Sequence, residues 1–179
     1  MHWIKWLTLI FCMIPLSSFA NSKTVHKFVD KKVAGITVGE YSEQKIFNLY
    51  GKGIPIEKGY AFCYYNKKEK SFLVVQYGPD KLIEGVLIIE ENHNEYYDSC
   101  KRKEIDNTLQ TSKGIKLGNS PQEVIEVYGE PQKRENKDGL LIFEYHTDYR
   151  EDPQVRLAYD AYLYFKEGKL IKVVIHDGE

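Results

Sequence analysis

The side chains that most often do chemistry in proteins are sparse in this sequence, and the histidines are the first to consider. Two of them have an aspartate close by, in His146-Thr147-Asp148 and His176-Asp177. Imidazole and carboxylate groups bind metals, but a metal centre needs three or four ligands brought together. The other histidines stand alone, and no second ligand pair lies at a useful spacing. We therefore expect no metal and no cofactor.

Groups for nucleophilic or acid–base catalysis are equally hard to find. Ser120 could be considered as a nucleophile, but its position directly before a helical pattern explains it as an N-cap. The acidic pairs Glu90-Glu91 and Glu151-Asp152 lack the apolar neighbours that raise the pKa of a catalytic carboxyl group. The glycines do not follow a phosphate-binding pattern. The sequence predicts a protein that is not an enzyme.

The 14 tyrosines are better candidates for binding residues. Successive side chains of a strand face opposite sides, so two tyrosines share one face of the run "YDAYLYF". Amphipathic rings held by a rigid sheet bury a large area at low rotamer cost. The alternative is that strand propensity alone explains the enrichment. The candidate binding residues, including two from a charged loop at the rim, are Tyr145, Tyr149, Arg150, Tyr162 and Tyr164.

The first 20 residues predict a secretory signal. Lys5 precedes an apolar run, and small residues precede a cleavage site near Ala20. The run is shorter than the ~20 residues that cross a bilayer. Cys12 raises a lipoprotein alternative, but Phe11 stands where lipoprotein signals have a small residue. We expect an exported protein, periplasmic or secreted, without a transmembrane segment in the mature chain.

Two cysteines, Cys63 and Cys100, remain after that cleavage. An even number of cysteines in an oxidising compartment favours a disulfide. Two separate thiols, or a bridge to another chain, are the alternatives. The formal net charge of the chain is −1, without the clustered basic surface that nucleic acid requires, so we expect no nucleic-acid partner.

A short helix with defined ends is predicted from "GIKLGNSPQEVIEVYGEP", residues 114–131. It is the first of the elements that would position these groups. Ser120 and Glu123 form a Ser-x-x-Glu capping box, and Pro121 stands at the first helical position. Apolar residues follow at helical spacing. Gly129 can adopt the left-handed conformation that ends a helix.

A looser copy of this pattern, "GITVGEYSEQKIFNLYGKG", occupies residues 35–53. Ser42 stands at the cap position, and Tyr50-Gly51 corresponds to Tyr128-Gly129. Lys45 replaces the glutamate of the capping box, so this cap is predicted to be weaker.

Three β-rich runs follow each helix: "YAFCYYN", "SFLVVQY" and "KLIEGVLIIEE", then "LLIFEYHTDY", "YDAYLYF" and "KLIKVVIHD". The predicted fold class is α+β, with two tandem repeats, each a short capped helix on a small antiparallel β-meander; a second leading helix in each is left open. The predicted boundaries are 1–20 for the signal peptide, 21–92 and 108–179 for the repeats, and 93–107 for a connector. A unit of under ~85 residues has a marginal core, which side-by-side packing, with or without a shared sheet, would stabilise.

"GNSPQEVIEVYGEP" followed by "FEY" resembles the BamE/SmpA–OmlA-like envelope modules, in which a Gly-x-[Ser/Thr]-x-x-x-Val-x-x-x-x-Gly-x-Pro helix precedes a small antiparallel sheet. The tandem arrangement is similar to that of the β-lactamase inhibitory protein. The chain departs from the BamE/SmpA–OmlA-like modules because it has no lipobox cysteine and carries two units rather than one. It departs from the β-lactamase inhibitory protein because its second half contains no cysteine. The resemblance therefore implies an architecture and an envelope setting rather than a particular activity.

These observations favour an exported, non-catalytic module that binds another protein or an envelope component through a sheet face and nearby loops. The alternative hypothesis is an inhibitor of an extracytoplasmic enzyme, such as a β-lactamase or a protease.

Overall fold

The structure, a computed structural model, describes residues 30–40, 43–93, 98–152 and 155–178. The described residues form two α-helices, α1 (Glu43–Tyr50) and α2 (Pro121–Tyr128). The strands are β1 (Lys32–Val33), β2 (Ile36–Thr37), β3 (Ile54–Ile56), β4 (Ala61–Asn66), β5 (Ser71–Tyr77), β6 (Ile83–Glu90), β7 (Glu104–Ile105), β8 (Lys133–Lys137), β9 (Leu140–Asp152), β10 (Val155–Lys166) and β11 (Lys169–Gly178). Short 3-10 helices occupy Glu57–Gly59, Glu91–His93 and Asp98–Arg102.

One large sheet dominates the fold. Its strand order is β3-β4-β5-β6-β11-β10-β9-β8, and β7 adds a short parallel pairing to β4, which makes nine strands. The prediction of two small helix-plus-meander repeats is wrong. The decisive contact is the antiparallel pairing of β6 with β11, from Gly85↔His176 to Ile89↔Lys172, which joins the strands into a single sheet.

Both helices pack on the same face of this sheet, which we call the helix face. Their apolar stripes are buried against inward-facing strand residues, and the β1–β2 hairpin completes the cover. Helices of eight residues are too short to be stable alone in water, so packing on the sheet holds them. The main core cluster on this face includes Ile46, Val124, Leu73, Phe143 and Leu163, all at most 1% exposed.

The segments that lead into the helices are not α-helical in their described parts. Residues 32–37 form the β1–β2 hairpin, and Thr111 makes an isolated antiparallel bridge with Val33. The described chain contains no helix long and apolar enough to pass through a membrane. The boundaries 21–92, 93–107 and 108–179 stay predictions.

The ends of α2 are held by its own sequence. Ser120 Oγ accepts a hydrogen bond from Glu123 N at 3.2 Å, and the Glu123 carboxylate accepts one from Ser120 N at 2.6 Å. The hydrogen bonds that the Glu123 carboxylate accepts from Ser120 N and Ser120 Oγ hold the pKa of Glu123 below its ordinary value. At the other end Gly129 has φ 80° and donates to Ile125 O at 2.7 Å. Gly51 ends α1 with φ 71°, while the cap position Ser42 lies outside the described residues.

Substitution of Ser120 by alanine should lower the free energy of unfolding by about 1 kcal/mol, because the N-terminal N–H groups of α2 lose their side-chain acceptor. Ser120→Thr is the matched control, since its hydroxyl can still accept from Glu123 N and donate to the Glu123 carboxylate, and it should stay close to the wild type. Urea unfolding followed by circular dichroism measures both. Equal midpoints for the alanine variant and the wild type would contradict this role of the cap.

Candidate functional site

The face of the sheet opposite the helices has two parts, and the first is covered. The 3-10 helix Asp98–Arg102 lies over β4 and is tied to it by a disulfide between Cys63 and Cys100, whose Cα atoms are 5.6 Å apart. The predicted pairing of these cysteines is confirmed. A second apolar cluster forms beneath this cover from Ala61, Cys63, Tyr65, Phe72, Val74, Ile89 and Cys100.

The second part of this surface lies on β6, β11, β10 and β9, and we call it the open face. Its side chains are half-buried, and no helix among the described residues packs on them. Antiparallel sheets commonly have one face packed on a core and one face toward solvent. The open face consists of Leu87, Ile142, Glu144, His146, Asp160, Tyr162, Tyr164, Lys172, Val174 and His176.

Cross-strand pairing arranges these residues in three rows. The middle row runs Leu87–Val174–Tyr162–Glu144, and a second row runs Lys172–Tyr164–Ile142. The third row places Asp160 between His176 on β11 and His146 on β9. Directly opposed residues have Cβ atoms roughly 5 Å apart, close enough for their side chains to interact.

The two tyrosines of the open face are held by their cross-strand and diagonal neighbours. The Tyr162 ring stacks on the His176 ring with centroids 5.5 Å apart and planes 3° from parallel. Lys172 Nζ lies 4.9 Å from the centroid of the Tyr164 ring, within the range of a cation–π contact. These contacts fix the orientation of both rings, which lowers the entropy cost of binding to them.

Burial raises the pKa of the two tyrosines of the open face and lowers the pKa of its lysine. It raises the pKa of Tyr164, and together with the charges of Glu144 and Asp160 it raises the pKa of Tyr162. Both phenols therefore keep their protons at neutral pH. Burial also lowers the pKa of Lys172. The open face presents two phenolic hydroxyls, apolar patches and charges of both signs.

The predicted binding residues are not all together. Tyr162 and Tyr164 lie on the open face. Tyr145 is 1% exposed in the core, because it pairs with Ala161 on the helix face and donates to Gly129 O at 2.9 Å. Its assignment as a surface residue is corrected accordingly. Tyr149 and Arg150 belong to β9 by their backbone, and their side chains lie outside the described part.

The histidines considered as metal ligands lie on one surface but are two strands apart. His146 Nδ1 contacts the carboxylate of Asp160, and His176 Nδ1 lies 2.7 Å from the carbonyl oxygen of Asp177. Strands are spaced about 4.8 Å, so the two imidazoles are separated by about 10 Å of sheet. Among the described residues, no group of three His, Cys, Asp or Glu could hold a metal ion.

The acidic pair Glu90-Glu91 takes part in structural contacts. The Glu91 carboxylate accepts from Tyr65 Oη at 2.9 Å and pairs with Lys101 Nζ at 2.7 Å. These hydrogen bonds lower the pKa of Glu91, which suits a structural carboxylate and not a general acid. The side chains of Glu151 and Asp152 lie outside the described part.

Sequence reasoning missed Lys172 and Asp160 as members of the surface. Each stands in an ordinary strand pattern, and only the strand register shows that Lys172 opposes Tyr164 and that Asp160 opposes both histidines. The period of two in a strand was the available signal, since it puts Lys172, Val174 and His176 of "KLIKVVIHD" on one face.

These features define the class of protein: a mostly β chain built on one large, mainly antiparallel sheet of nine strands, and not the predicted α+β repeats, with two short helices on one face and a disulfide-tied cover on part of the other. The sequence matches no family model and no curated protein. A solved structure of a DUF4309 family protein (YjgB) from Bacillus subtilis subsp. subtilis str. 168 is similar at 10% sequence identity, over 80% of this chain and 83% of that chain, with a TM-score of 0.48. A similarity at this level supports no conclusion about function.

Proposed function

We propose that the protein is an exported, non-catalytic module that binds another protein of the cell envelope or extracellular space through its open face. The observation that carries the proposal is the ordered pair Tyr162 and Tyr164, whose rings are fixed by His176 and Lys172 on a face of the sheet that no described helix covers. Tyrosine is enriched at binding hot spots because it combines a large apolar ring with a polar tip.

The edges of the sheet are poorly suited to binding, which favours the face. At one end of the strand order, β8 has the sequence Lys-Arg-Glu-Asn-Lys, and at the other β3 has only three residues with Pro55 in the middle. Charged residues and proline on edge strands oppose the addition of another strand. A partner is therefore expected to contact side chains of the open face rather than to extend the sheet.

Export is proposed from the pattern of residues 1–20, which lie outside the described residues. A buried disulfide is compatible with an oxidising compartment, where such bonds persist. The resemblance to BamE/SmpA–OmlA-like modules supports an envelope partner as part of the same proposal. Inhibition of an extracytoplasmic enzyme is one way in which such binding could act.

Replacement of Tyr162 and Tyr164 together by alanine should weaken partner binding on the order of tenfold or more, as loss of central aromatic anchors does. The purified protein serves as bait in an envelope extract, and captured proteins are identified by mass spectrometry. The affinity of a purified partner is then compared between variants.

Val127→Ala is the matched control, because Val127 is 41% exposed on α2, on the other side of the sheet. It should bind the partner like the wild type. The proposal fails if the double tyrosine variant, folded by circular dichroism, binds each captured partner with unchanged affinity.

A further inference from the structure

The open face holds a half-buried lysine without a counter-ion. Lys172 Nζ has no hydrogen bond and no ion pair with any described residue, and its contact is the face of the Tyr164 ring. The described side-chain atoms that are both buried and unpaired belong to Ser71, Tyr77 and Thr147, so Lys172 Nζ keeps contact with solvent and a ligand can reach it. An ammonium group that is partly removed from water without a carboxylate partner costs free energy. A partner that supplies the missing negative charge would recover that cost.

Two phenolic hydroxyls on the same surface also lack a partner. The Oη atoms of Tyr162 and Tyr164 make no hydrogen bond with any described residue, and neither is a buried atom. Their raised pKa values keep both groups protonated, so they are O–H donors. With the ammonium of Lys172, three donor groups lie together on two neighbouring strands. An occupant of this surface should therefore bring acceptor oxygens.

The charges of the open face are arranged so that one negative charge fits at Lys172. The residues that pair with Lys172 across the sheet are Tyr164 on β10 and Ile89 on β6, neither of them acidic. Glu144 and Asp160 belong to the other two rows, and each is already paired with a basic group. A phosphate would bring a second negative charge toward these carboxylates, and phosphate sites commonly use arginine forks, of which the described open face has none. A single carboxylate matches one lysine.

The surroundings of Lys172 are apolar. Ile142 follows Tyr164 in its row, and Leu87 and Val174 are opposed in the middle row beside it. All three side chains are half-buried on the open face and offer apolar surface. An occupant that places a carboxylate on Lys172 should therefore carry an apolar group next to that carboxylate.

We propose that the partner contacts the open face with a glutamate or aspartate side chain flanked by an apolar residue. The carboxylate pairs with Lys172 Nζ and accepts a hydrogen bond from Tyr164 Oη, while the apolar neighbour packs over Leu87 and Val174. Hydrogen bonds in which both groups are charged are about twice as strong as neutral ones. This inference rests on the proposed function, because it names the chemistry that a partner presents to the same surface.

The probe is the acetylated and amidated pentapeptide Gly-Leu-Glu-Leu-Gly, titrated into the isotopically labelled protein and followed by nuclear magnetic resonance. The same peptide with glutamine in place of glutamate has the same shape without the charge. The wild type should bind the glutamate peptide about tenfold more tightly, the ratio given by one hydrogen bond between charged groups. Resonances of β10 and β11 should shift.

Variants of the lysine test whether this preference depends on its charge. Lys172→Met removes the charge at nearly the same length and should bind the two peptides with equal affinity. Lys172→Arg retains a cation and should keep the preference. Lys169→Met is the matched control, because Lys169 is exposed at the start of the same strand. It should prefer the glutamate peptide as the wild type does.

The outcomes separate this inference from the proposed function. Equal affinity of the wild type for the two peptides, or a preference that persists in Lys172→Met, would overturn it. A captured partner that needs Tyr162 and Tyr164 but binds Lys172→Met like the wild type would overturn it and leave the proposed function intact. Shifts of the same resonances by sodium decanoate, without binding of the peptide, would assign the surface to a fatty acid and would also overturn it. The titration needs no captured partner, so it decides the inference even where the capture experiment fails.

Discussion

Removal of the Cys63–Cys100 disulfide is expected to lower the free energy of unfolding by about 4 kcal/mol. The cysteines are 37 residues apart, and the chain-entropy relation gives about this value for a loop of that length. The closed loop contains β5 and β6, two central strands of the sheet. Without the bridge the unfolded chain gains conformational freedom, while the folded sheet keeps its pairing.

A second consequence concerns the cover over β4. The 3-10 helix Asp98–Arg102 would then be held to the sheet by the ion pair of Lys101 with Glu91 at 2.7 Å and by the hydrogen bond from Tyr65 N to Lys103 O at 2.9 Å, directly after the helix. Exposed ion pairs contribute little to stability. Loss of the bridge should therefore loosen this segment first and expose the apolar cluster that contains Tyr65 and Phe72.

The measurement compares the wild type with the Cys63→Ala, Cys100→Ala double variant in urea. Alanine avoids a new buried hydroxyl, since both cysteine side chains are fully buried. The control is the wild type unfolded with and without reductant, which removes the cross-link without a change of residue. Equal unfolding midpoints for the oxidised and reduced wild type would contradict the expectation.

Local features of the sequence were predictable because their causes are local. The capping box of α2 depends on Ser120 and Glu123, three residues apart, and the glycine at its end needs only the preceding turn. The run "SFLVVQY" coincides with β5, and "LLIFEYHTDY" starts where β9 starts. By contrast β8, with the sequence Lys-Arg-Glu-Asn-Lys, has no apolar alternation and forms through its pairing with β9.

The order of the strands was not predictable from the same patterns. The pairing of β6 with β11 joins residues more than 80 positions apart, and no turn signal connects them. Alternation shows which residues of a strand share a face, but not which strand lies beside it. The prediction of separate meanders failed for this reason. Tyr145 was misplaced for a different one: alternation does not say which of the two faces of β9 packs on α2.

The candidate binding surface was predictable only in part for the same cause. Tyr162 and Tyr164 could be placed on one face by their spacing, whereas their ring contacts with His176 and Lys172 come from β11. The unpaired hydroxyl of Tyr77 has no signature in the sequence, because an absent partner is a property of the folded packing.

Replacement of Asp30 by alanine is expected to lower the free energy of unfolding by about 3 kcal/mol or more. Asp30 is 1% exposed and joins three parts of the chain. Its carboxylate accepts from Ser112 Oγ at 2.6 Å, from Lys113 N at 3.2 Å and from Tyr128 Oη at 2.7 Å. Its removal leaves the buried Tyr128 hydroxyl without this acceptor, which costs about 1–3 kcal/mol, and it removes the hydrogen bonds from Ser112 and Lys113, exposed residues whose bonds contribute about 1 kcal/mol each.

The Tyr128 hydroxyl extends this network. It carries one proton, which it donates to Asp30, so Thr111 Oγ1 at 2.6 Å donates to it in turn. Thr111 Oγ1 also accepts from Ile115 N at 3.2 Å. The network therefore fixes the end of α2 against residues 30 and 111–115, and burial raises the pKa of Tyr128 far above its ordinary value.

Tyr128→Phe tests the same network with a smaller change and should cost about 1.5–3 kcal/mol, the range for a hydrogen bond to a charged group. Its matched control is Tyr77→Phe, the same substitution at a buried tyrosine whose hydroxyl is unpaired, which should not destabilise the protein. Urea unfolding of the three variants beside the wild type measures the differences. Equal shifts of the unfolding midpoint for Tyr128→Phe and Tyr77→Phe would show that the network does not stabilise the fold, because the paired hydroxyl would then contribute no more than the unpaired one.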